Sequence, residues 1–235
     1  MTTRNRGKQS NDDKYFSPKW HPIFTEAIND LCFLLTRGYA ENSALQIVGN
    51  RYKLNKRQRN AILRISVGEE EIAIRNKSKV SKTALKNEVV EIDGFNLLIL
   101  LESAMSGAYI FKGRDGLYRD ISSVHGSYKR VVKTENAILL VGEVLKKLQV
   151  KAVKWYFDQP VSNSGRLKSR LLELSEEHGF NWEVELVFDP DKVLVKSKNI
   201  IVSSDGWILD NSEKWFNLGG FLIENYLLDA NVIVV

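Results

Sequence analysis

The stretch Val89-Val90-Glu91-Ile92-Asp93-Gly94-Phe95-Asn96-Leu97-Leu98 decides how the chain is read. A short β-branched run stops at an acid and a glycine, and a helix-like segment over 96–105 takes over at once. β-Branched residues fit a pleated, buried surface, and a strand passing straight into a helix opens a βαβ unit. The same alternation continues downstream. Thr134 is placed to cap an amphipathic helix over 135–148. A strand over 152–157 precedes a helix over 164–178, closed by Gly179. Strands over 182–188 and 199–203, a helix near 212–228 and a terminal strand over 231–235 complete the series. This pattern predicts an α/β fold with a mostly parallel sheet flanked by helices.

Upstream the texture is helical and basic. Residues 1–15 are polar and read as a loose, disordered tail. Over 24–35, Ile28, Leu31, Cys32 and Leu35 recur at the spacing of one buried helix face, with Gly38 as terminator. Asn42 or Ser43 is placed to cap a second helix. Asn55 is placed to cap a third over 56–65, which sets Lys56, Arg57, Arg59 and Arg64 beside Ala61, Ile62 and Ile65. Two short helices, the second rich in arginine, resemble a helix-turn-helix, although many small helical domains pack this way without touching nucleic acid. The expected organisation is a tail over 1–15, a basic helical domain over 16–67, a charged linker over 68–87 and an α/β domain over 88–235.

Composition narrows the class. Of 235 residues, 43% are hydrophobic, enough for a packed core. The single cysteine excludes a disulfide framework and a cysteine-built zinc site. No apolar run reaches the roughly 18 residues of a membrane span, and the first twenty residues hold no secretory segment. A soluble, cytoplasmic protein with no membrane partner is expected. The net charge of +5 conceals a split: residues 1–87 carry +9 and residues 88–235 carry −4. One half would hold a polyanion and the other act on it. A solvated basic face accounts for the charge equally well.

The acids fall in a pattern. Asp93, Asp158, Asp189 and Asp205 each follow an apolar run that reads as a strand. The C-terminal strand ends of an open parallel sheet line the crevice where ligands bind. A single aspartate there is usually a turn or helix cap. Four carboxylates at one edge repel unless protons or a cation offset them. Hard oxygen donors suit Mg²⁺ or Mn²⁺, and such a site serves phosphodiester hydrolysis.

Ile92-Asp93-Gly94-Phe95-Asn96 resembles the opening strand motif of NYN-domain nucleases, members of the PIN-like superfamily. Tyr156-Phe157-Asp158 resembles their second acidic strand end, and Ile201-Val202-Ser203-Ser204-Asp205 a late one. The three fall in the family's order and span most of 88–235. The resemblance implies a PIN-like fold in which Asp93, Asp158 and Asp205 hold a divalent metal and Asn96 stands beside it. It departs at Phe188-Asp189-Pro190-Asp191, where the family carries an acid on a helix. Asp189 is the expected fourth ligand, Asp191 an alternative and Asp210 a fallback. Taken whole, the chain also resembles an uncharacterised prokaryotic family with a basic helical N-terminal part.

Substrate-facing candidates surround these acids. Lys112, Arg114, Arg119, Lys129 and Arg130 alternate with aromatic residues and His125, a mixture that neutralises phosphates and stacks on unpaired bases. A surface hairpin whose aromatics pack on the sheet is an equal reading. Ser164, Arg166 and Arg170 open a helix just after Asp158, where backbone amides attract anions. Arg57 and Arg59 extend the basic surface into the helical domain. No dinucleotide or P-loop signature is present. The expectation is a divalent-metal-dependent nuclease with a nucleic-acid partner, RNA ahead of DNA. The alternatives are a catalytically impaired PIN-like nucleic-acid-binding module and a protein-interaction domain.

Overall fold

Asn55 starts the best-capped helix of the N-terminal region: its side chain accepts from the Gln58 amide while Gln58 reaches back to the Asn55 amide. The computed structural model describes residues 5–122, 128–129 and 131–234. It begins with helices α1 (Asp12–Tyr15), α2 (His21–Thr36), α3 (Glu41–Arg51), α4 (Lys56–Ile65) and α5 (Glu69–Ser78). Then come β1 (Val89–Asp93), α6 (Gly94–Met105), β2 (Tyr109–Lys112), β3 (Tyr118–Asp120), α7 (Thr134–Lys147) and β4 (Ala152–Asp158). The chain closes with α8 (Ser164–His178), β5 (Trp182–Val187), α9 (Pro190–Leu194), β6 (Ile200–Val202), α10 (Gly206–Asp210), α11 (Leu218–Tyr226) and β7 (Asn231–Val234).

The main sheet is four-stranded and parallel, in the order β5-β4-β1-β6. Side chains alternate along each strand, so parity assigns the faces. Val90, Ile92, Val153, Trp155, Phe157, Ile200 and Val202 join one core with the apolar sides of α6, α7 and α8. The opposite parity carries Glu91 and Asp93 on β1, Tyr156 and Asp158 on β4, and Ile201 on β6. There Tyr156 and Ile201 pack with Leu194, Ile208, Leu209 and Trp215. From β1 the chain steps outward to β4 and β5, then crosses back to β6. The order therefore reverses between β1 and β6, which is where open α/β sheets bind ligands.

Three boundaries differ from the sequence expectation. Residues 68–87 are not a plain linker: they hold α5 and a 3₁₀ turn over Lys82–Leu85. The charges that suggested a linker suit a helix, with Glu69, Glu70 and Glu71 in its first turn and Arg75 and Lys77 in its last. Residues 5–15 are docked, since Asp12 is buried and accepts from Arg57 Nε and Nη2 at 3.0 and 2.9 Å. The helix expected over 212–228 is shorter, α11 alone, and a separate short helix, α10, precedes it. Between them the buried Trp215 is stitched to the end of α5, its amide donating to the Ser78 carbonyl and its indole N–H to the Arg75 carbonyl.

The terminal strand joins a second sheet, β3-β2-β7, instead of the main one. Phe111, Ile121 and Ile233 on and beside that sheet share a core with Phe24, Leu31, Ala61 and Ile62. The basic helices and the α/β part are thus packed through one apolar cluster. Among the described residues no helix is long and apolar enough to cross a membrane.

Candidate functional site

Asp93 ends β1 on the less apolar face and is buried. The following glycine makes this turn possible: a Cβ on Gly94 would lie 2.2 Å from the ring of the fully buried Phe157. The Asp93 carboxylate does not cap α6; its Oδ2 accepts from Ser203 Oγ at 2.8 Å. That hydroxyl in turn accepts from the Asp205 amide at 3.0 Å. Asn96 is the second clasp, its Oδ1 accepting from both the amide and the hydroxyl of Ser204 at 2.9 Å. The first turn of α6 and the turn after β6 are thereby held together across the switch point.

The electrostatics are those of crowded carboxylates. Burial raises the Asp93 pKa to about 7; the Ser203 hydroxyl opposes the shift, and the charges of Asp191 and Asp205 add to it. Asp191, on α9, is raised by desolvation and then by Asp205, Asp158 and Asp189. Asp158 is raised by burial and by Asp189. Asp205 caps α10 through Oδ1, which accepts from the Trp207 and Ile208 amides at 2.9 and 3.3 Å. Its other oxygen has no hydrogen bond among the described residues.

Asp189 takes a different part from the one expected. Its side chain accepts from the Lys192 amide as the N-cap of α9 and pairs with Lys192 Nζ at 2.8 Å. Those contacts hold its carboxyl below the usual range. Asp191 is the acid of this segment that couples to Asp93. Asp210, the fallback, is turned away to Arg75.

The donor chemistry of Asp93, Asp191 and Asp205, with Asp158 beside them, fits a hard divalent cation: every donor is an oxygen, and among the described residues none of the four pairs with a basic side chain. Among the described residues, no three histidine, cysteine or carboxylate side chains are already assembled as a ligand set. A cation would have to draw them in.

The expected basic surface is largely taken up in pairs within the chain. Arg119 is buried, donating to Asp115 at 2.6 and 3.0 Å and to the Ser204 carbonyl at 2.9 Å. Arg57 binds Asp12 and the carbonyls of Gly7 and Ile121. Arg59 donates to the Leu54 carbonyl and to Asn50. Arg170 pairs with Glu135, Glu173 and Glu177. These guanidiniums satisfy buried or neighbouring acceptors and leave no row of free cations. Lys112 and Arg114 pair with Glu224 and Glu69. Ser164 is buried, whereas Lys129 and Arg166 are exposed. His125 and Arg130 lie outside the described residues.

Two exposed aromatics went unnoticed in the sequence. Phe188, next to Asp189, is 78% exposed and Trp207, two residues past Asp205, is 51% exposed. The signal was available: each sits within two residues of a strand-end acid, past the end of the strand.

Comparison with known proteins gives a family and no activity. Residues 82–221 match the model of a domain of unknown function, DUF5616, and residues 23–78 match that of a protein of unknown function, DUF434. The chain belongs to the DUF5616 family. It is 36% identical over 184 residues to an uncharacterised protein of the archaeon Methanocaldococcus jannaschii, which covers 78% of this chain and 88% of that relative. Neither matching family is of the NYN or PIN type. No solved structure matches the chain.

Proposed function

We propose that this protein is a divalent-metal-dependent nuclease, with RNA ahead of DNA as substrate, a PIN-like variant of the α/β fold, and a cytoplasmic site of action. One observation carries the reading: buried Asp93 stands at the switch point of a parallel sheet, its pKa raised to about 7 among coupled carboxylates. Mg²⁺ or Mn²⁺ held by Asp93, Asp191 and Asp205, with Asp158 at the edge, would polarise a phosphoryl oxygen and acidify an attacking water. Ser203 orients the Asp93 carboxylate, and Asn96 fixes the turn that delivers Asp205. Phe188 and Trp207 offer ring faces to unpaired bases, which favours a single strand over a duplex. Arg166 supplies a phosphate contact beside Asp158.

The test is cleavage of end-labelled single-stranded RNA and DNA by the full chain and by Asp93→Asn, with and without Mn²⁺. The reading expects metal-dependent cleavage in the wild type alone; equal cleavage by the variant would sink it. A second reading, a PIN-like nucleic-acid-binding module without catalysis, is favoured by the unassembled ligand set and by the capping role of Asp205 Oδ1. Its mark is salt-sensitive RNA binding with no cleavage.

A further inference from the structure

A cleft of about 470 Å³ opens at the other end of the main sheet. Two of its lysines, Lys82 and Lys86, precede β1, and the third, Lys147, ends α7 just before β4. Both strands carry their acids at the opposite end, so the length of β1, about 15 Å, separates cleft from acids. Lys82, Lys86 and Lys147 are exposed and make no ion pair among the described residues. Helix-dipole compensation accounts for a lysine at the end of α7. It does not account for the other two.

The lysines stand on a fixed frame. Leu85, between Lys82 and Lys86, is fully buried. The Asn87 amide donates to the Gln149 carbonyl at 2.8 Å, and the Lys151 amide to the Glu88 carbonyl at 2.9 Å. These bonds clamp the turn carrying Lys86 to the turn following Lys147. Asn87 and Gln149 both hold left-handed backbone, with φ of 60° and 59°. Such conformations persist in non-glycine residues only where the surroundings impose them.

The facing wall has a different chemistry. Phe221 and Tyr226, on α11, line it with ring centroids 6.2 Å apart, and Leu148 adds an aliphatic floor. Asn225 donates its amide hydrogen to the Phe221 carbonyl at 2.8 Å, which leaves its Oδ1 as an acceptor with no partner among the described residues. Inorganic phosphate would use the lysines and ignore the rings. An apolar ligand would leave three cations unanswered. A planar base bearing phosphates meets both walls, and an exocyclic amino group meets Asn225.

We propose that this cleft binds a nucleoside phosphate, its phosphates on Lys82, Lys86 and Lys147 and its base against Phe221 and Tyr226. The assignment stands apart from whatever the acids at the other sheet end do. The test is calorimetric titration of the full chain, in chelator, with a nucleoside triphosphate, the free nucleoside, tripolyphosphate and a short single-stranded oligoribonucleotide. One saturable site for the nucleotide is expected, with neither the free nucleoside nor tripolyphosphate matching it. Binding should weaken about tenfold in Lys86→Gln/Lys147→Gln and in Tyr226→Ala, and stay unchanged in Asp93→Asn. Lys86, Lys147 and Tyr226 are exposed, and an unchanged melting temperature of their variants verifies folding. A mononucleotide that outcompetes the oligonucleotide identifies free nucleotide as the source; the reverse identifies a strand. Absence of saturable binding, equal affinity for tripolyphosphate, or indifference to the lysine and tyrosine variants would overturn the assignment.

Discussion

Arg75 grips both carboxylate oxygens of Asp210, donating from Nε and Nη2 at 2.6 and 2.9 Å. Its third arm reaches Asp115 at 2.6 Å, and Asp115 also takes Arg119. The same guanidinium fills the space over Gly206, where a Cβ would come within 2.6 Å of it. Gly206 follows Asp205, so a helix from the DUF434-matching segment braces the turn that presents a candidate ligand of the DUF5616-matching one.

Arg75→Met should therefore destabilise the chain by about 2–3 kcal/mol, because it takes a buried guanidinium from Asp115, which lies out of solvent, and from Asp210, which is partly exposed. Asp115 keeps Arg119, and water reaches Asp210, so the loss stays below that of a fully stranded pair. Arg75→Lys should recover only part, since an ammonium cannot bind two oxygens in a fork. Urea denaturation of the three proteins measures both effects.

Gly94→Ala should cost about 2–3 kcal/mol. The Phe157 ring that the new methyl meets cannot move aside: Phe95 lies edge-on to it at 5.0 Å and Trp155 stacks at 6.0 Å. The variant should also weaken Mn²⁺ binding by shifting Asp93. A melting temperature equal to wild type would show the turn to be more pliant than this packing implies.

Much of this was legible in the sequence. The strand ends at Asp93, Asp158 and Asp205 could be read because β-branched and aromatic runs stop where the acids begin. The bounds of α4 and α8 follow from Asn55 and Gly179, local signals that tertiary packing did not override. What failed were partners distant along the chain. Nothing near Arg57 in sequence reveals the buried Asp12 beside it, and nothing near Arg119 reveals the Ser204 carbonyl, so charge alone suggested a surface. The capping role of Asp189 was readable in principle. An aspartate before proline at a helix start is a cap, which ties its oxygen to the amide three residues on.

Arg6 pairs with Glu102, a carboxylate buried in α6, and lies over the Tyr128 ring at 4.8 Å. Tyr128 and Thr134 also donate to Glu102. Arg6→Ala should destabilise by about 2 kcal/mol, because burial already raises the Glu102 pKa and the cation opposes that shift. Adding Glu102→Gln should restore most of the loss. A double-mutant cycle by chemical denaturation gives the coupling directly.

Asp93 makes the metal-free protein pH-sensitive in a defined direction. The folded chain holds this proton up to about pH 7, whereas an ordinary aspartate releases it near 3.8. The native state thus binds more protons across that window, so raising pH through it removes stability, by about 2–4 kcal/mol in all. Above pH 7 the contribution is flat. Asp93→Asn should reduce the slope, leaving the part owed to Asp158, Asp191 and Glu102, and be the more stable protein at pH 8 in chelator, as measured by thermal melts across pH.

Manganese binding tests the central claim most directly. Electron paramagnetic resonance of Mn²⁺ titrated into the full chain at pH 8 should reveal a specific site that is lost in Asp93→Asn and in Asp191→Asn. The same site should survive in Asp189→Asn, whose carboxylate is tied to Lys192. Binding that is absent from the wild type, or that depends on Asp189 and ignores Asp93 and Asp191, would contradict the account.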